Sequence, residues 1–383
     1  MGKTRYIVAG GLIDGLTSEV RRNVFLAVRE GIITAIGPVA DLSRSDGETL
    51  VDYSHGTIIP ALVDCSVSLT RSPSVSGAGN PSTDAVNQTQ AADLRERHLC
   101  FCHAHGVLGV ADANDLAAPA PSRQLAAMPE CGIVVRTAGA DFIKVCCSHN
   151  IEEESGAPAL LDHADLCRLL AQKGERKAVV VANGPRQVAT ALAAGCDAIE
   201  QGYGMGEENL REMAARKVLW IPSVLRAKNG LDGASTGGAV CCRFSQRYLA
   251  PGKPLPGAEA FWKETLAEQL AQLRLARTLG VTTATGTGAG STGILHGEGM
   301  VEEMKLFIKA GYSLTETIRC ASTIGAGFFG MLELGPLTVG RRATFLIARG
   351  TAQQLPRKLS YLEGIHIDGA PSRAYRKNPV KSA

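Results

Sequence analysis

No apolar run in this 383-residue chain reaches the roughly 18 residues a membrane span needs, so a helical membrane protein is not expected. Charge of one sign is not in excess. The 40 Lys and Arg against 37 Asp and Glu leave a net +3, which gives no electrostatic ground for binding nucleic acid or a membrane surface. The eleven cysteines never fall at the C-x-x-C spacing of a zinc ribbon. Scattered thiols, odd in number, point to a reducing cytoplasm rather than a disulfide framework. Residues 1–9 lack the apolar core and cleavage site of a secretion signal. Arg5 and Tyr6 stand where a myristoylation signal wants a small residue. Repeats, heptads and low-complexity tracts are also lacking. What is present is an ordinary soluble composition, 45% hydrophobic and 20% charged, long enough for one large α/β domain and a smaller one.

Residues 5–52 alternate apolar and polar, punctuated by Gly10-Gly11, Asp14-Gly15, Glu30-Gly31 and Gly37-Pro38, which predicts a β-meander. Further on, strand-like runs alternate with helical patterns. The runs lie at 57–69, 106–112, 133–137, 141–147, 178–183, 196–201, 218–223 and 281–287. Helices are expected over 162–173, 185–195, 207–217, 259–280 and 298–311. Eight strands in such alternation predict an α/β fold of the (β/α)8 TIM-barrel type. Thr137 and Asp141 are too close for the crossover helix that a parallel pair requires. Either one strand there is absent or the barrel is trimmed between strands three and four.

The first strand run carries Pro60, Leu62, Val63 and Asp64, and here the chain resembles the metal-dependent amidohydrolases, of the imidazolonepropionase and prolidase kind. Their first barrel strand reads P-G-L-(I/V)-D-x-H-x-H, and Ser66 and Ser68 stand where that pattern has its histidines. Asp141-Phe142-Ile143-Lys144 is similar to the family's strand-four motif, whose lysine becomes a carbamate bridging two metals. The stretch from Ala182 through Asn183 and Gly184 to Ile199-Glu200-Gln201-Gly202-Tyr203 resembles H-A-N/H-G-P…I-E-H-G. Val181 and Gln201 then occupy two more histidine positions. Ala284 to Ser291, followed by His296-Gly297, resembles G-T-D-A-G-S…H-G, with Gly288 in place of the aspartate. Both ends match the family's flanking strands, around Val24–Gly37 and 334–349, with Thr344 for the usual Asp. The resemblance therefore implies a composite β-sandwich domain from residues 1–54 and 334–383, and a barrel over 55–333.

It also implies a hydrolase of non-peptide carbon-nitrogen bonds, yet only Lys144 survives among six ligand positions (Ser66, Ser68, Lys144, Val181, Gln201, Gly288). Hydroxyls, a valine and a glycine supply neither the charge nor the basicity that holds a divalent ion and activates its water. The expectation is a metal-free, catalytically degenerate homologue with a residual small-ligand pocket, with zinc or another divalent metal only if the family chemistry survives. Lys144 is the catalytic candidate. His296, Asn183, Tyr203, Gln201, Ser66 and Ser68 are the candidate pocket residues, suited to a small, anionic ligand. Two other readings stay open: an active hydrolase or lyase around Lys144, Cys146 and His149, or a non-catalytic partner of an active paralogue. A homo-oligomer in the cytoplasm fits each, with no nucleic acid or membrane partner.

Several residues admit two readings. Lys144 either pairs with a carboxylate at the barrel mouth or, desolvated, acts as a Schiff-base nucleophile. Cys146-Cys147-Ser148-His149 either holds a replacement metal or contributes small thiols to packing. Cys241-Cys242 poses the same choice. His103 and His105 fall at the barrel face opposite the expected site. Gly288 to Gly293 spells G-x-G-x-x-G too late for a dinucleotide site, though a loop after strand eight can bind anions through its N–H groups.

Overall fold

The structure, a computed structural model, describes residues 3–45, 47–73, 88–114, 132–148, 161–236, 240–241, 247–248 and 256–375. The chain opens with β1 (Arg5–Leu12), β2 (Arg21–Arg29), β3 (Ile32–Pro38) and the long β4 (Thr49–Pro60). Glu30 and Gly31, both at positive φ (52° and 81°), close the β2–β3 hairpin; such a two-residue turn matches strand twist. The strand β5 (Leu62–Val67) follows β4 after one residue, then α1 (Gln88–Ala104), β6 (Val107–Asp112), β7 (Val134–Thr137) and β8 (Phe142–Cys146). Next come α2 (His163–Leu170), β9 (Lys177–Ala182), α3 (Gly184–Ala193), β10 (Ala198–Gln201), α4 (Gly206–Arg216), β11 (Leu219–Ile221) and α5 (Val224–Thr236). A two-residue antiparallel pair, β12 (Val240–Cys241) with β13 (Arg247–Tyr248), precedes α6 (Ala258–Leu279), α7 (Glu298–Lys309), α8 (Leu314–Cys320) and α9 (Thr323–Phe328). The described chain ends with β14 (Phe345–Arg349), β15 (Leu362–Ile367) and β16 (Ala370–Pro371).

Both ends of the chain build one seven-stranded sheet, in the order β16-β15-β14-β4-β1-β2-β3. Ile7, Leu26, Ile58, Phe345 and Ile347 fill its core. The middle of the chain forms two all-parallel sheets, β5-β6-β7 and β8-β9-β10-β11. Every residue of β5 and β6 is buried, as expected for parallel strands covered on both faces. Residues 282–289 run between the two sheets as an irregular eighth segment. Trp220 N donates to Thr282 O (2.9 Å) on one side, and Cys65 N to Thr285 O (3.0 Å) and Ser68 N to Ala289 O (2.8 Å) on the other.

At the opposite junction β7 and β8 are both present, which resolves the short link seen in the sequence. They do not ladder with each other: β7 pairs with β6, β8 with β9, and a single bridge joins Ala138 to Phe142. Without a ladder, no crossover helix is required. The sheets thus meet without forming one closed hydrogen-bonded cylinder among the described residues. The expected helices are present, joined by α1, α5, α8 and α9. Among the described residues, no helix is long and apolar enough to cross a membrane.

Candidate active site

Side chains two apart on a strand share a face, so Lys144 and Cys146 leave β8 on one side, and Ser66 and Ser68 leave β5 and its extension on one side. The C-terminal ends of the parallel strands converge on a cavity of about 180 Å³. Its walls include all six positions singled out in the sequence: Ser66, Ser68, Lys144, Val181, Gln201 and Gly288. Residues up to 222 positions apart are thereby gathered at one end of the sheets.

The centre of this cavity is an ion pair. Lys144 Nζ lies 3.0 Å from Oε1 and 2.8 Å from Oε2 of Glu200, with 15% and 6% of the two side chains exposed. Ser66 Oγ donates to the same Glu200 Oε1 at 2.8 Å. Of the two readings of Lys144, this geometry matches the pairing with a carboxylate at the barrel mouth. Asp64 sits directly beneath, fully buried, accepting from Thr287 N (2.9 Å), Thr287 Oγ1 (2.5 Å) and Ser66 N (3.2 Å). Burial outweighs those donors and pushes its carboxyl up to about 6.

Gln201 enters the cavity although it is adjacent to Glu200, because its backbone turns left-handed (φ 70°). Two side-chain donors hold that turn: Trp220 Nε1 (3.0 Å) and Gln269 Nε2 (2.8 Å) both reach Gln201 O. Asn183 and Tyr203 are not cavity walls but stand behind them. Asn183 Nδ2 donates to Gln201 Oε1 (2.8 Å), its Oδ1 accepts from Tyr203 N (3.0 Å), and Tyr203 Oη donates to Ser223 O (2.6 Å). His296 is likewise withdrawn. It is buried beneath Ser68, with Nε2 2.9 Å from Ser68 O and its ring stacked 3.7 Å from that of His98. Burial presses its imidazole well below the ordinary range and brings that of His98 to about 4.

The loop reading of Gly288–Gly293 requires correction. The N–H groups of Gly288, Ala289, Gly290 and Ser291 donate to Ser66 O, Thr287 Oγ1, Ile294 O and Gly288 O, so they are not an anion cradle. Gly290 has a packing reason instead: at φ 96°, a Cβ there would lie 2.6 Å from Ser68 O. His103 and His105 form no chelate: one ring meets Ser372 Oγ (3.0 Å) and the other Phe101 O (2.8 Å). His149 and Cys242 lie outside the described residues.

Cation character comes from residues the sequence did not single out. Arg71 and Arg226 line the cavity, with Ser148, Ser223 and Ser291. Arg226 belongs to α5, whose first N–H groups, Val224 N (3.0 Å) and Leu225 N (2.7 Å), donate to Glu303 of α7. Glu303 is completely buried and its carboxyl is pushed up to about 8, burial being the main cause. Ser68 Oγ and Ser223 Oγ are buried with no hydrogen-bond partner among the described residues.

A divalent metal is the group that the resemblance implies for these positions. Here Glu200 is the one carboxylate on the described walls and is already matched by Lys144; Gln201 Oε1 is taken by Asn183, and Val181 and Gly288 offer no donor. Among the described residues, no three His, Cys, Asp or Glu side chains are placed to share an ion. The donors among the described residues do not by themselves fit a hydrolytic metal centre.

No family model and no curated protein matches the sequence. Solved structures do match. A Xaa-Pro dipeptidase with methionine bound in its active site is 18% identical, aligned over 96% of this chain and 99% of its own, with a TM-score of 0.75. Ochratoxinase from A. niger is 17% identical over 97% and 95%, at 0.74. Molinate hydrolase is 15% identical over 97% and 95%, at 0.75.

Proposed function

Because this chain has the amidohydrolase-superfamily fold, we propose that it is a metal-free, catalytically degenerate member that uses the old active site to bind a small carboxylate-bearing ligand. The observation that carries this reading is the Lys144–Glu200–Ser66 cluster in the position where the resembling enzymes hold metal. A fixed ammonium there repels a second cation and leaves nothing to lower the pKa of water. Arg71 and Arg226 supply positive charge for a carboxylate. Ser68, Ser148, Ser223 and Ser291 add polar walls around that charge.

In this reading the two parallel sheets and residues 281–289 together make an eight-membered barrel over 55–333. Residues 1–54 and 334–383 make the composite domain, and the protein works in the cytoplasm, alone or as a homo-oligomer. The named neighbours are hydrolases of carbon-nitrogen bonds, and this supports descent from such an enzyme rather than a retained activity. The alternative is a working hydrolase or lyase around Lys144, Cys146 and His149, favoured by the placement of Cys146 in the cavity beside Lys144.

Two measurements on the purified chain separate these readings. Elemental analysis is expected to find well under one zinc, iron or manganese per chain. A panel of N-acyl amino acids, dipeptides, lactams and lactones with added zinc or manganese is expected to show no turnover, while calorimetry detects carboxylate binding. Turnover that disappears in Lys144→Ala would establish the alternative.

A further inference from the structure

A second cavity, which shares no wall with the first, opens in residues 350–361, the connection between β14 and β15. The two strands pair as far as Ala348 and Leu362, so the ends of the connection lie side by side. A compact surface loop closed in this way is a frequent place for a functional site. Leu355 and Leu359 are buried in the main core and anchor the loop from below. Two short 3-10 turns, Ala352–Gln354 and Arg357–Tyr361, then bring Gln353, Gln354, Arg357, Lys358 and Tyr361 around a crevice of about 550 Å³, with Leu355 as its apolar wall. The barrel-mouth cavity has about 180 Å³. Small-ligand sites usually run from about 300 to 1,000 Å³, so the second cavity has the room for one. Arg357 and Lys358 are the only charged groups on its walls, and among the described residues no carboxylate pairs with either. Glu363, the nearest acid in the sequence, is held by His55 at 2.8 Å.

We propose that this crevice binds a phosphate monoester of nucleotide size, with Arg357 and Lys358 holding the phosphate and Gln353, Gln354 and Tyr361 facing the rest of the molecule. The site is independent of the barrel-mouth reading. A phosphate monoester carries about −1.5 to −2 charges at neutral pH, which two adjacent cations match and one does not. Arginine supplies a planar fork for two of the phosphate oxygens and lysine a point charge for the third. A bare phosphate would leave most of the crevice empty. The other walls are two carboxamides and the ring of Tyr361, 64% exposed. Carboxamides both donate and accept, as sugar hydroxyls and base edges require, and an aromatic face stacks on a planar base.

The test is calorimetry on the full chain with adenosine monophosphate, adenosine and inorganic phosphate. Adenosine monophosphate is expected to bind about tenfold more tightly than either of the others, and to weaken as salt is raised. Arg357→Gln with Lys358→Gln is expected to weaken adenosine monophosphate about tenfold, because both charge-assisted contacts to the phosphate are lost. Inorganic phosphate should weaken in parallel, and adenosine should not change. A second measurement uses the wild type alone. Acetylation of Lys358 by acetic anhydride, read by peptide mass mapping, should slow several-fold with adenosine monophosphate present, while that of the exposed Lys263 of α6 stays constant. Adenosine monophosphate binding unchanged in the double variant, or Lys358 unprotected in the wild type, overturns the proposal. Adenosine binding as tightly as the nucleotide also overturns it, since the phosphate would then carry nothing. Inorganic phosphate binding as tightly would leave a bare anion site and overturns the nucleotide-sized reading.

Discussion

Lys144 and Glu200 meet through both carboxylate oxygens, at 3.0 and 2.8 Å, across 56 residues of sequence and from two strands that are not neighbours in their sheet. The pair spans the cavity mouth, β8 on one side and β10 on the other, with β9 between them. It therefore ties the ends of three strands together.

Breaking that pair leaves a charge stranded at low solvent exposure. Lys144→Met and Glu200→Leu singly are each expected to destabilise the chain by about 3 kcal/mol, and the double variant by much less. Urea unfolding of the four proteins gives the coupling directly. Single and double costs that simply add would show that the pair is not coupled.

Stability is expected to peak near pH 6.5. Burial holds His98, His103 and His366 at about 4 in the folded chain. The unfolded chain binds those protons first, so stability is complete above about 6.5 and is lost as pH falls toward 4. Asp64 and Glu303 act in the opposite sense, because their folded values of about 6 and about 8 lie above the unfolded ones. The folded chain keeps those protons longer, and stability is lost as pH rises through each window. Between about 6.5 and 8 the Glu303 loss continues; above about 8 the buried thiols of Cys147, Cys196 and Cys320, held up at about 11, 12 and 12, add a loss of the same sign. Thermal unfolding from pH 4 to 8 should show both limbs, and Glu303→Gln should flatten the alkaline one alone.

Glu303 also positions the cavity wall. Its carboxylate accepts two N–H groups at the start of α5, the helix that carries Arg226. Glu303→Ala is expected to cost about 2–4 kcal/mol through the buried donors left unpaired. It should also weaken carboxylate binding several-fold, although Glu303 is not one of the described cavity walls. Affinity unchanged in a folded Glu303→Ala protein would remove this positioning role.

Restoring single ligands is expected to yield no hydrolase. Ser66→His and Gly288→Asp each leave the Lys144–Glu200 pair intact, and Gly288 sits at φ 69°, a conformation that costs other residues about 1 kcal/mol. Assays of each variant with zinc and manganese test this, since metal ligands act as a unit. Turnover restored by either single change would mean that the centre is one step from function.

Seven of the eight expected barrel strands, five of the helices and the six converging positions were legible in the sequence, because strand and helix periodicities and the spacing of a motif are local properties; the run at 281–287 is apolar enough for a strand but forms only an isolated bridge at Thr283. Asp64 to Ser68 reads as one strand end whatever lies around it. The outcome at the site was not local. That Lys144 finds Glu200, that Arg71 and Arg226 supply the charge, and that the Gly288–Gly293 N–H groups are spent on Ser66, Thr287 and Ile294 all depend on which distant segments the sheets bring together. His296 shows the same division. The sequence made it a candidate pocket residue, but only tertiary packing decided that it lies beneath Ser68 against His98. Periodicity determines which way a side chain leaves its own strand; the partner it meets is decided by burial and charge matching across the assembled core.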